Sequence, residues 1–258
     1  MQDRNFDDLA HRFRNRIYGG LKGEVRLAVL NRDLAPLLNR SAPHLRVLDA
    51  GGGQGQFALD LAAAGHSVTI ADISADMLEQ ARLQACERGL QGRVALVHSP
   101  LQALQENPDH RGYDLVLCHA VLEWLGEPQA AIGALRQLLK PGGHLSLTFY
   151  NRRALEFRLL QRGSFRQLDR NVESGHWGGH PGSLTPQNPL QLEWVEDWLG
   201  QHGFEIVGHS GIRCFHDYMT PVIRDKLPAS AIVDKELAYS RVDPYRQLAR
   251  YQHLLCRC

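Results

Sequence analysis

Long apolar runs are missing from this 258-residue chain, and none approaches the roughly 20 residues that a membrane-spanning helix needs. Residues 1–16 are rich in Asp and Arg and lack the apolar core of a signal peptide, so we expect them to belong to the mature fold. Internal repeats and low-complexity tracts are also absent. With 43% hydrophobic and 22% charged residues, the composition is typical of a globular domain and not of a disordered chain.

Cysteine is scarce, and its five positions are scattered: Cys86, Cys118, Cys214, Cys256 and Cys258. An odd number without regular spacing argues against a disulfide framework and favours a reducing cytoplasm. The last two cysteines lie close together, but no second Cys or His pair at zinc spacing accompanies them. We therefore expect no structural zinc and no other metal site.

Excess charge of one sign is also absent overall, since the formal net charge is only +1. Two blocks are nevertheless basic. Residues 1–40 carry eight Lys or Arg against five Asp or Glu, and residues 151–170 carry six Arg against two acidic residues. Such blocks can bind a polyanion locally, but charge alone favours the simpler interpretation of solvated helix faces.

Hydrophobic periodicity predicts an α/β architecture. Residues 1–40 have helical spacing, interrupted at Tyr18-Gly19-Gly20. Short buried strands are then predicted at 45–50, 67–71, 93–98, 113–118 and 144–150, and helices at 56–64, 74–87 and 128–139. This alternation predicts a parallel sheet wound in the right-handed sense, with a turn at residues 140–143 before the fifth strand.

The pattern changes after residue 150. Residues 151–190 are predicted to form an insertion after strand five, helical up to Leu168 and irregular beyond it. A helix at 191–201, a strand at 204–212, a broken helix at 221–247 and a final strand at 248–258 follow. We expect one domain with a helical cap (1–40), a cofactor-binding core (45–150), an insertion that meets the substrate (151–190) and C-terminal helices and strands (191–258).

A glycine loop follows the first predicted strand, in the segment Asp49-Ala50-Gly51-Gly52-Gly53-Gln54-Gly55-Gln56. The carboxyl edge of a parallel sheet is where such folds bind ligands. Gly51, Gly52, Gly53 and Gly55 permit positive φ angles and a close approach of the backbone to a ligand. The spacing Gly53-x-Gly55-x-x-Ala58 also fits the loose dinucleotide pattern, so a nicotinamide enzyme is an alternative.

Two carboxylates at strand ends bear on the identity of the cofactor. Asp49 would repel a pyrophosphate, and it suits the amino and sulfonium groups of S-adenosylmethionine; simple capping of the next turn is the alternative role. Asp72, at the end of strand two, can accept both ribose hydroxyls, a role that it would have with either cofactor.

The segment Leu138-Leu139-Lys140-Pro141-Gly142-Gly143-His144-Leu145 adds a helix, a tight turn and a strand. With the glycine loop and Asp72, it resembles class I S-adenosylmethionine-dependent methyltransferases. The resemblance implies a Rossmann-like, seven-stranded, doubly wound sheet whose last strand is antiparallel. It also implies that Leu101 and Gln102 lie beside the adenine, and that His119 faces the methionine end of the cofactor or the substrate.

Segments inside and outside this core are similar to the bacterial tRNA 5-carboxymethoxyuridine methyltransferases. They are Met1–Asp8, Ile17-Tyr18-Gly19, Lys22-Gly23, Arg26, Asp49–Gly53, His119–Trp124, Phe149-Tyr150-Asn151 and Phe215-His216-Asp217-Tyr218. The implied reaction is methyl transfer to the carboxylate of 5-carboxymethoxyuridine at the wobble position of tRNA, which gives the methyl ester. The implied partner is the anticodon region of tRNA. One departure is that residues 176–189 contain no Lys or Arg, where that family can carry a lysine-rich stretch.

A carboxylate nucleophile is already ionised at neutral pH, because its pKa lies near ~4, and needs no general base. Arginine suits a planar carboxylate, so Arg213, Arg152 and Arg153 are candidates to hold it. The resemblance favours contact between Arg26 and the cofactor carboxylate. The side chains that can hydrogen-bond the substrate or close the pocket are Tyr18, Tyr150, His216 and Tyr218.

Two other functions remain open at this point. The glycine-loop core alone permits a small-molecule methyltransferase, against which the basic blocks argue. A non-catalytic nucleotide- or RNA-binding module would not need the complete cofactor constellation.

Overall fold

The computed structural model describes residues 20–38, 44–178, 186 and 188–258. The helix predicted before Gly20, and Tyr18 with it, lie outside this range. Among the described helices, none has the length and apolarity required to cross a membrane.

A seven-stranded sheet has the strand order β3-β2-β1-β4-β5-β7-β6. The strands are β1 (Arg46–Ala50), β2 (Ser67–Asp72), β3 (Val94–His98), β4 (Tyr113–His119), β5 (Leu139–Tyr150), β6 (Glu205–Ile212) and β7 (Tyr251–Arg257). Neighbouring pairs among β1 to β5 are parallel, whereas β7 runs antiparallel to both β5 and β6. The predicted doubly wound sheet with an antiparallel last strand is confirmed.

Helices cover both faces of the sheet. They are α1 (Leu21–Leu38), α2 (Gln56–Ala63), α3 (Ala75–Glu87), α4 (Leu101–Leu104), α5 (Pro128–Leu138), α6 (Arg152–Gln161), α7 (Phe165–Ser174), α8 (Leu192–Gln201), α9 (Pro221–Arg224) and α10 (Ala229–Tyr239). Apolar side chains of α1, α2 and α3 form one core with β1 and β4, and those of α4, α5 and α8 form a second core on the opposite face.

The predicted turn at residues 140–143 is wrong as an element boundary, because β5 already begins at Leu139. Tyr113 pairs with Leu139 and Leu115 with His144, so the residues between form a bulge within the strand. The Gly142 amide donates to the Cys258 carbonyl at 2.7 Å, and the Cys258 amide donates to the Gly143 carbonyl at 3.0 Å. Pairing with the end of β7 thus keeps this segment in the sheet.

The insertion also differs from the prediction, because its helical part continues past Leu168 to Ser174. The Ser174 hydroxyl donates to the Arg170 carbonyl at 2.7 Å. Gly175, with φ of 65°, then ends α7 in the left-handed conformation that favours glycine. The irregular part of the insertion therefore starts at Gly175.

The register of the sheet gathers polar side chains on the α1 face. Successive side chains of a strand alternate between faces, and paired residues share a face. On β4, β5 and β7 this face carries His119, Ser146, Thr148, Tyr150, Tyr251 and His253. Asp49 lies on the same face, because it pairs with Leu117 of β4. A polar region thus lies between α1 and the carboxyl ends of β1, β4 and β5.

Candidate active site

The glycine loop bends tightly at the end of β1. The amides of Gly51 and Gly52 donate to the Ala71 carbonyl at 2.8 and 3.1 Å, which ties the loop to β2. Gly51 has φ of 73°, and a Cβ there would lie 2.6 Å from Val121 Cγ2. A Cβ on Gly52 would lie 2.6 Å from Asp49 Cγ. Only glycine fits these positions, so bare backbone faces the crevice.

Asp72 organises this loop from the end of β2. Its Oδ2 accepts from the Gly53 amide at 2.8 Å, and its Oδ1 accepts from the Ser74 amide at 2.8 Å. Ser74 in turn caps α3, since its hydroxyl accepts from the Met77 amide at 3.1 Å. Because each carboxylate oxygen has a second lone pair, Asp72 can also accept two ribose hydroxyls.

Asp49 is almost completely buried at the end of β1. Burial and then the negative charge of Asp72 raise its pKa to about 7. A positively charged ligand would stabilise the ionised form of Asp49, whereas a pyrophosphate would add further negative charge beside Asp49 and Asp72. The bare loop, the ribose acceptor and this buried carboxylate together fit S-adenosylmethionine.

Arg26 and His119 border the same crevice from α1 and β4. Arg26 is buried, and its guanidinium carbon lies 4.6 Å from the ring centroid of Tyr251. Burial, followed by the charge of Arg26, lowers the pKa of His119 well below its usual range, so this ring is neutral. On the other side of the sheet, Leu101 at the start of α4 is buried in the core and Gln102 is half-buried.

A cluster of cations lies beside this crevice, around one carboxylate. Arg213 follows β6 and ion-pairs with Asp217. Arg250 precedes β7, with its Nε 3.8 Å from Asp217 Oδ2. Burial alone would raise the pKa of Asp217, but the hydrogen bond from His216 and the charges of Arg213 and Arg250 hold it well below its usual range. This carboxylate is therefore ionised and orients the guanidinium groups.

Lys22 and Arg158 add further positive charge to this cluster. Partial burial and then the charge of Arg213 lower the pKa of Lys22. Partial burial and then the charge of Arg250 lower the pKa of Arg158. Such mutual repulsion is relieved when an anion binds. We call Lys22, Arg158, Arg213, Arg250 and Asp217 the cation cluster.

Three buried polar atoms near the cluster have no hydrogen-bond partner within the described part of the chain: Thr148 Oγ1, Tyr150 Oη and Arg213 Nε. Burial raises the pKa of Tyr150 to about 12, so its hydroxyl keeps its proton and can donate. The Arg250 guanidinium carbon lies 4.6 Å from the Tyr150 ring centroid. Donors left without partners beside excess positive charge are suited to a carboxylate ligand.

Two other predicted residues have structural partners here. The His216 amide donates to Glu236 Oε1 at 2.8 Å, and the His216 ring lies 3.1 Å from Asp217. The Tyr218 hydroxyl donates to the Leu248 carbonyl at 2.6 Å. Both side chains therefore support the cluster through contacts within the protein.

Arg152 and Arg153 are engaged elsewhere on α6. Arg152 Nε lies 3.0 Å from Glu156 Oε1, and its guanidinium stacks over the Trp177 ring at 4.2 Å. Arg153 ion-pairs with Glu193 of α8. These contacts attach the insertion to the domain, whereas the contacts of Arg213 hold it in the cation cluster.

Sequence reasoning did not single out Lys22, Arg158 and Arg250 as site residues, nor Glu123. Glu123 is fully buried, and neither carboxylate oxygen has a hydrogen-bond partner among the described residues. Burial raises its pKa to about 8. The position of Glu123 in the segment after β4 was a possible signal. The three cations come from α1, α6 and the residue before β7, so their convergence depends on the fold.

Comparisons with known proteins agree with this geometry. The family described as "Methyltransferase domain" matches residues 48–145. The tRNA 5-carboxymethoxyuridine methyltransferase of Escherichia coli (strain K12) is 38% identical over 258 residues, which is 100% of this chain and 97% of that protein. A ubiquinone biosynthesis O-methyltransferase of Vibrio cholerae is 34% identical over 147 residues, which is 57% of this chain and 58% of that protein.

Solved structures show the same fold. The magnesium protoporphyrin IX methyltransferase of Synechocystis PCC 6803 with bound SAH has a TM-score of 0.62 and 20% sequence identity, with coverage of 98% of this chain and 95% of that one. At this identity the likeness concerns the fold. Together with the match along the whole chain, these findings show that the chain is an S-adenosylmethionine-dependent methyltransferase and belongs to the family of the tRNA 5-carboxymethoxyuridine methyltransferases.

Proposed function

We propose that this chain methylates the carboxylate of 5-carboxymethoxyuridine at the wobble position of tRNA and forms the methyl ester. The observation that carries the proposal is the cation cluster near the carboxyl ends of β5 and β6, with Tyr150 and Arg213 presenting buried atoms that have no partner among the described residues. Support also comes from the printed name of the E. coli relative. A carboxylate substrate explains why excess positive charge is kept at this edge of the sheet.

S-adenosylmethionine, when bound, supplies a methyl group on a positively charged sulfur. In our proposal the backbone of Gly51, Gly52, Gly53 and Gly55 lies against it. Asp72 accepts its ribose hydroxyls, and Asp49 balances its positive charge. Arg26 binds its carboxylate, Leu101 and Gln102 border its adenine, and His119 meets its methionine end.

The substrate carboxylate needs orientation and not activation. It is ionised at neutral pH, so no side chain has to remove a proton before it attacks. Arg213 and Arg250 are already oriented by Asp217, and Tyr150 can add a hydroxyl donor. Holding one carboxylate oxygen by these donors leaves the other in line with the methyl group, and burial of the site excludes water.

The exposed arginines of α6 and α7 bind the tRNA backbone in this proposal. Arg162, Arg166 and Arg170 are exposed along this helix pair. Both helices belong to the segment 151–190, which in this proposal forms the substrate side of a single domain. The anticodon region of the tRNA approaches the protein from this side. A tRNA substrate also places the protein in the cytoplasm.

The decisive experiment compares tRNA that carries 5-carboxymethoxyuridine with the same tRNA bearing unmodified uridine. With methyl-labelled S-adenosylmethionine, we expect label only in the modified tRNA, recovered as a methyl ester by nucleoside mass spectrometry. Label on unmodified uridine or on a base carbon would overturn the proposal. Label transferred to small carboxylic acids but not to tRNA would indicate a small-molecule methyltransferase.

A pair of variants tests the carboxylate site in the same assay. Arg250→Gln should lower kcat/KM for tRNA by about a hundredfold, since charged hydrogen bonds contribute about 1.5–3 kcal/mol. Arg246→Gln is the matched control, because Arg246 pairs with Asp243 at 2.6 Å outside the cluster. Equal activity of the two variants would remove Arg250 from the site.

A further inference from the structure

A chain of four polar side chains runs along the α1 face of the sheet and ends at the active site. Asp33 Oδ2 lies 2.8 Å from His253 Nδ1, and His253 Nε2 lies 2.9 Å from Ser146 Oγ. The same hydroxyl lies 2.8 Å from His119 Nε2. Asp33, Ser146 and His253 are each at most 5% exposed. The reaction described above uses only His119 of these four residues.

The direction of the first hydrogen bond is set at Asp33. Its Oδ1 accepts from Arg32 Nη2 at 2.7 Å and from Arg241 Nη2 at 2.7 Å. Burial by itself would raise the pKa of Asp33, but hydrogen bonds from His253, Ser210 and Arg32 hold it well below its usual range. An ionised carboxylate only accepts, so His253 Nδ1 must carry the proton that it donates to Oδ2.

The next hydrogen bond joins two fully buried side chains, since His253 is 1% exposed and Ser146 is 0% exposed. His253 Nδ1 already donates to Asp33, and in our inference His253 Nε2 accepts the one hydroxyl proton of Ser146.

Ser146 then determines the tautomer of His119. Since the hydroxyl proton points to His253, Ser146 Oγ can only accept from His119 Nε2. His119 is neutral and has a single ring proton, which must lie on Nε2. Its Nδ1 consequently has a lone pair at the carboxyl end of β4, on the sheet face that also carries Asp49.

We propose that Asp33, His253 and Ser146 are positioning residues that hold His119 in its Nε2–H tautomer, so that Nδ1 accepts a hydrogen bond from the amino group of the cofactor. This inference rests on the proposed placement of the methionine end beside His119. It assigns a function to three buried residues that lie away from the glycine loop and the cation cluster.

The Asp33→Asn variant provides a sharp test, because the two oxygens of Asp33 have different partners. The new amide oxygen should take the Oδ1 position, where Arg32 and Arg241 both donate, which places the amide NH2 against His253. His253 Nδ1 must then accept, and each later hydrogen bond reverses. Long-range 1H–15N spectra of the labelled full chain, assigned with a His119→Asn variant, should show His119 as Nε2–H in the wild type and Nδ1–H in Asp33→Asn.

Ser146→Ala is a second variant that introduces no unpaired charge. It removes the acceptor of His119 Nε2–H, so both tautomers of His119 should be populated. Ser240→Ala is the matched control: it deletes a buried hydroxyl that accepts from Arg32 Nη1 at 2.7 Å but lies outside the chain of four. The control should keep the wild-type tautomer.

Calorimetric titration with S-adenosylmethionine gives the second readout. Asp33→Asn and Ser146→Ala should weaken binding by about tenfold, as expected for a lost hydrogen bond to a charged group, and Ser240→Ala by less than about twofold. A wild-type Nδ1–H tautomer, or an unchanged His119 signal in Ser146→Ala, would overturn the inference. A changed tautomer with unchanged affinity would overturn the contact with the amino group. Neither readout uses tRNA, so a wrong tRNA substrate would leave both results intact.

Discussion

Two pairs of largely buried carboxylates in the described part of the chain have opposite environments. Asp33 and Asp217 each contact arginine and histidine side chains, and their pKa values are held well below the usual range. The pKa of Asp49 is raised to about 7 by burial and Asp72, and that of Glu123 to about 8 by burial. Asp33 and Asp217 are thus ionised in the folded protein, and a cation bound beside Asp49 would favour the ionised form of that carboxylate.

Cofactor affinity should therefore depend on pH through Asp49. In the free protein its pKa is about 7, and a bound cation lowers it, so binding releases a proton below this pH. The association constant for S-adenosylmethionine should fall by about tenfold for each pH unit below about 7 and level off above it. Calorimetry from about pH 6 to about pH 8 measures this dependence.

Asp49→Asn is the control for this pH dependence. It should bind the cofactor weakly at every pH and with a flat profile, because its side chain does not titrate. A wild-type affinity that stays constant over the same range would show that Asp49 does not face the cationic part of the cofactor.

Asp72→Ala should abolish cofactor binding. The substitution removes the acceptor proposed for the ribose hydroxyls and also the acceptor of the Gly53 and Ser74 amides. Losing several charge-assisted hydrogen bonds should weaken binding by more than about a hundredfold in calorimetry. Asp60→Ala is a matched control, since Asp60 pairs with Arg88 on the surface of α2. Unchanged titration heat in Asp72→Ala would contradict this role.

Helices α6 and α7 carry arginines that contact the rest of the domain and arginines that are exposed to solvent. On one side, Arg152 and Arg153 attach the pair to Trp177 and Glu193. On the other side, the exposed arginines leave positive charge in solvent. The two sets lie in different helices, because Arg152 and Arg153 begin α6, whereas Arg166 and Arg170 belong to α7.

Binding of tRNA should be salt-dependent through these exposed arginines. The double variant Arg166→Gln with Arg170→Gln should weaken binding and reduce the slope of log K against log salt by about one unit or slightly less per lost phosphate contact. Filter binding or fluorescence anisotropy at several salt concentrations measures the slope. Arg93→Gln, at the opposite end of the sheet where Arg93 bonds the Gly65 carbonyl at 2.7 Å, should keep the wild-type slope. Equal slopes in all variants would place the tRNA elsewhere.

The stability of the whole fold without cofactor should decline as pH rises from 6.5 to about 8. Asp49 and Glu123 have pKa values raised above those of the unfolded chain, so the native state holds more protons, and stability is lost as pH rises through about 7 and about 8. The pKa values of His66, His119 and His209 are lowered, which makes the stability increase with pH, but only below the usual histidine pKa of 6.5. Urea unfolding at a series of pH values measures the decline.

Glu123→Gln should flatten this decline. The new side chain resembles the neutral acid, so its free energy of unfolding at pH 6.5 should stay close to that of the wild type. Stability that rises between pH 6.5 and about 8 in the wild-type protein would contradict the assignment of neutral acids at these positions.

Periodicity and turn chemistry predicted the order of strands and helices along the chain, and the family resemblance implied the antiparallel last strand. The order along the chain depends on local patterns, such as the alternation between buried strands and helices and the glycines after β1. The bulge at residues 140–143 was missed, because it depends on pairing with Cys258 at the far end of the chain. The end of α7 was also missed, although Gly175 is a local signal for a helix C-terminus.

The glycine loop, Asp49 and Asp72 were accessible from the amino-acid sequence, because the chemistry of that site lies within one strand, its loop and the end of the next strand. The cation cluster and the chain from Asp33 to His119 were not accessible. Their members come from α1, α6, β4, β5, β7, the residue before β7 and the segment after β6, and only the register of the sheet and the packing of the helices bring them together. A site formed by residues that are close in sequence can be predicted from the sequence. The pKa of a buried group depends on residues that are distant in sequence and become neighbours only in the folded protein.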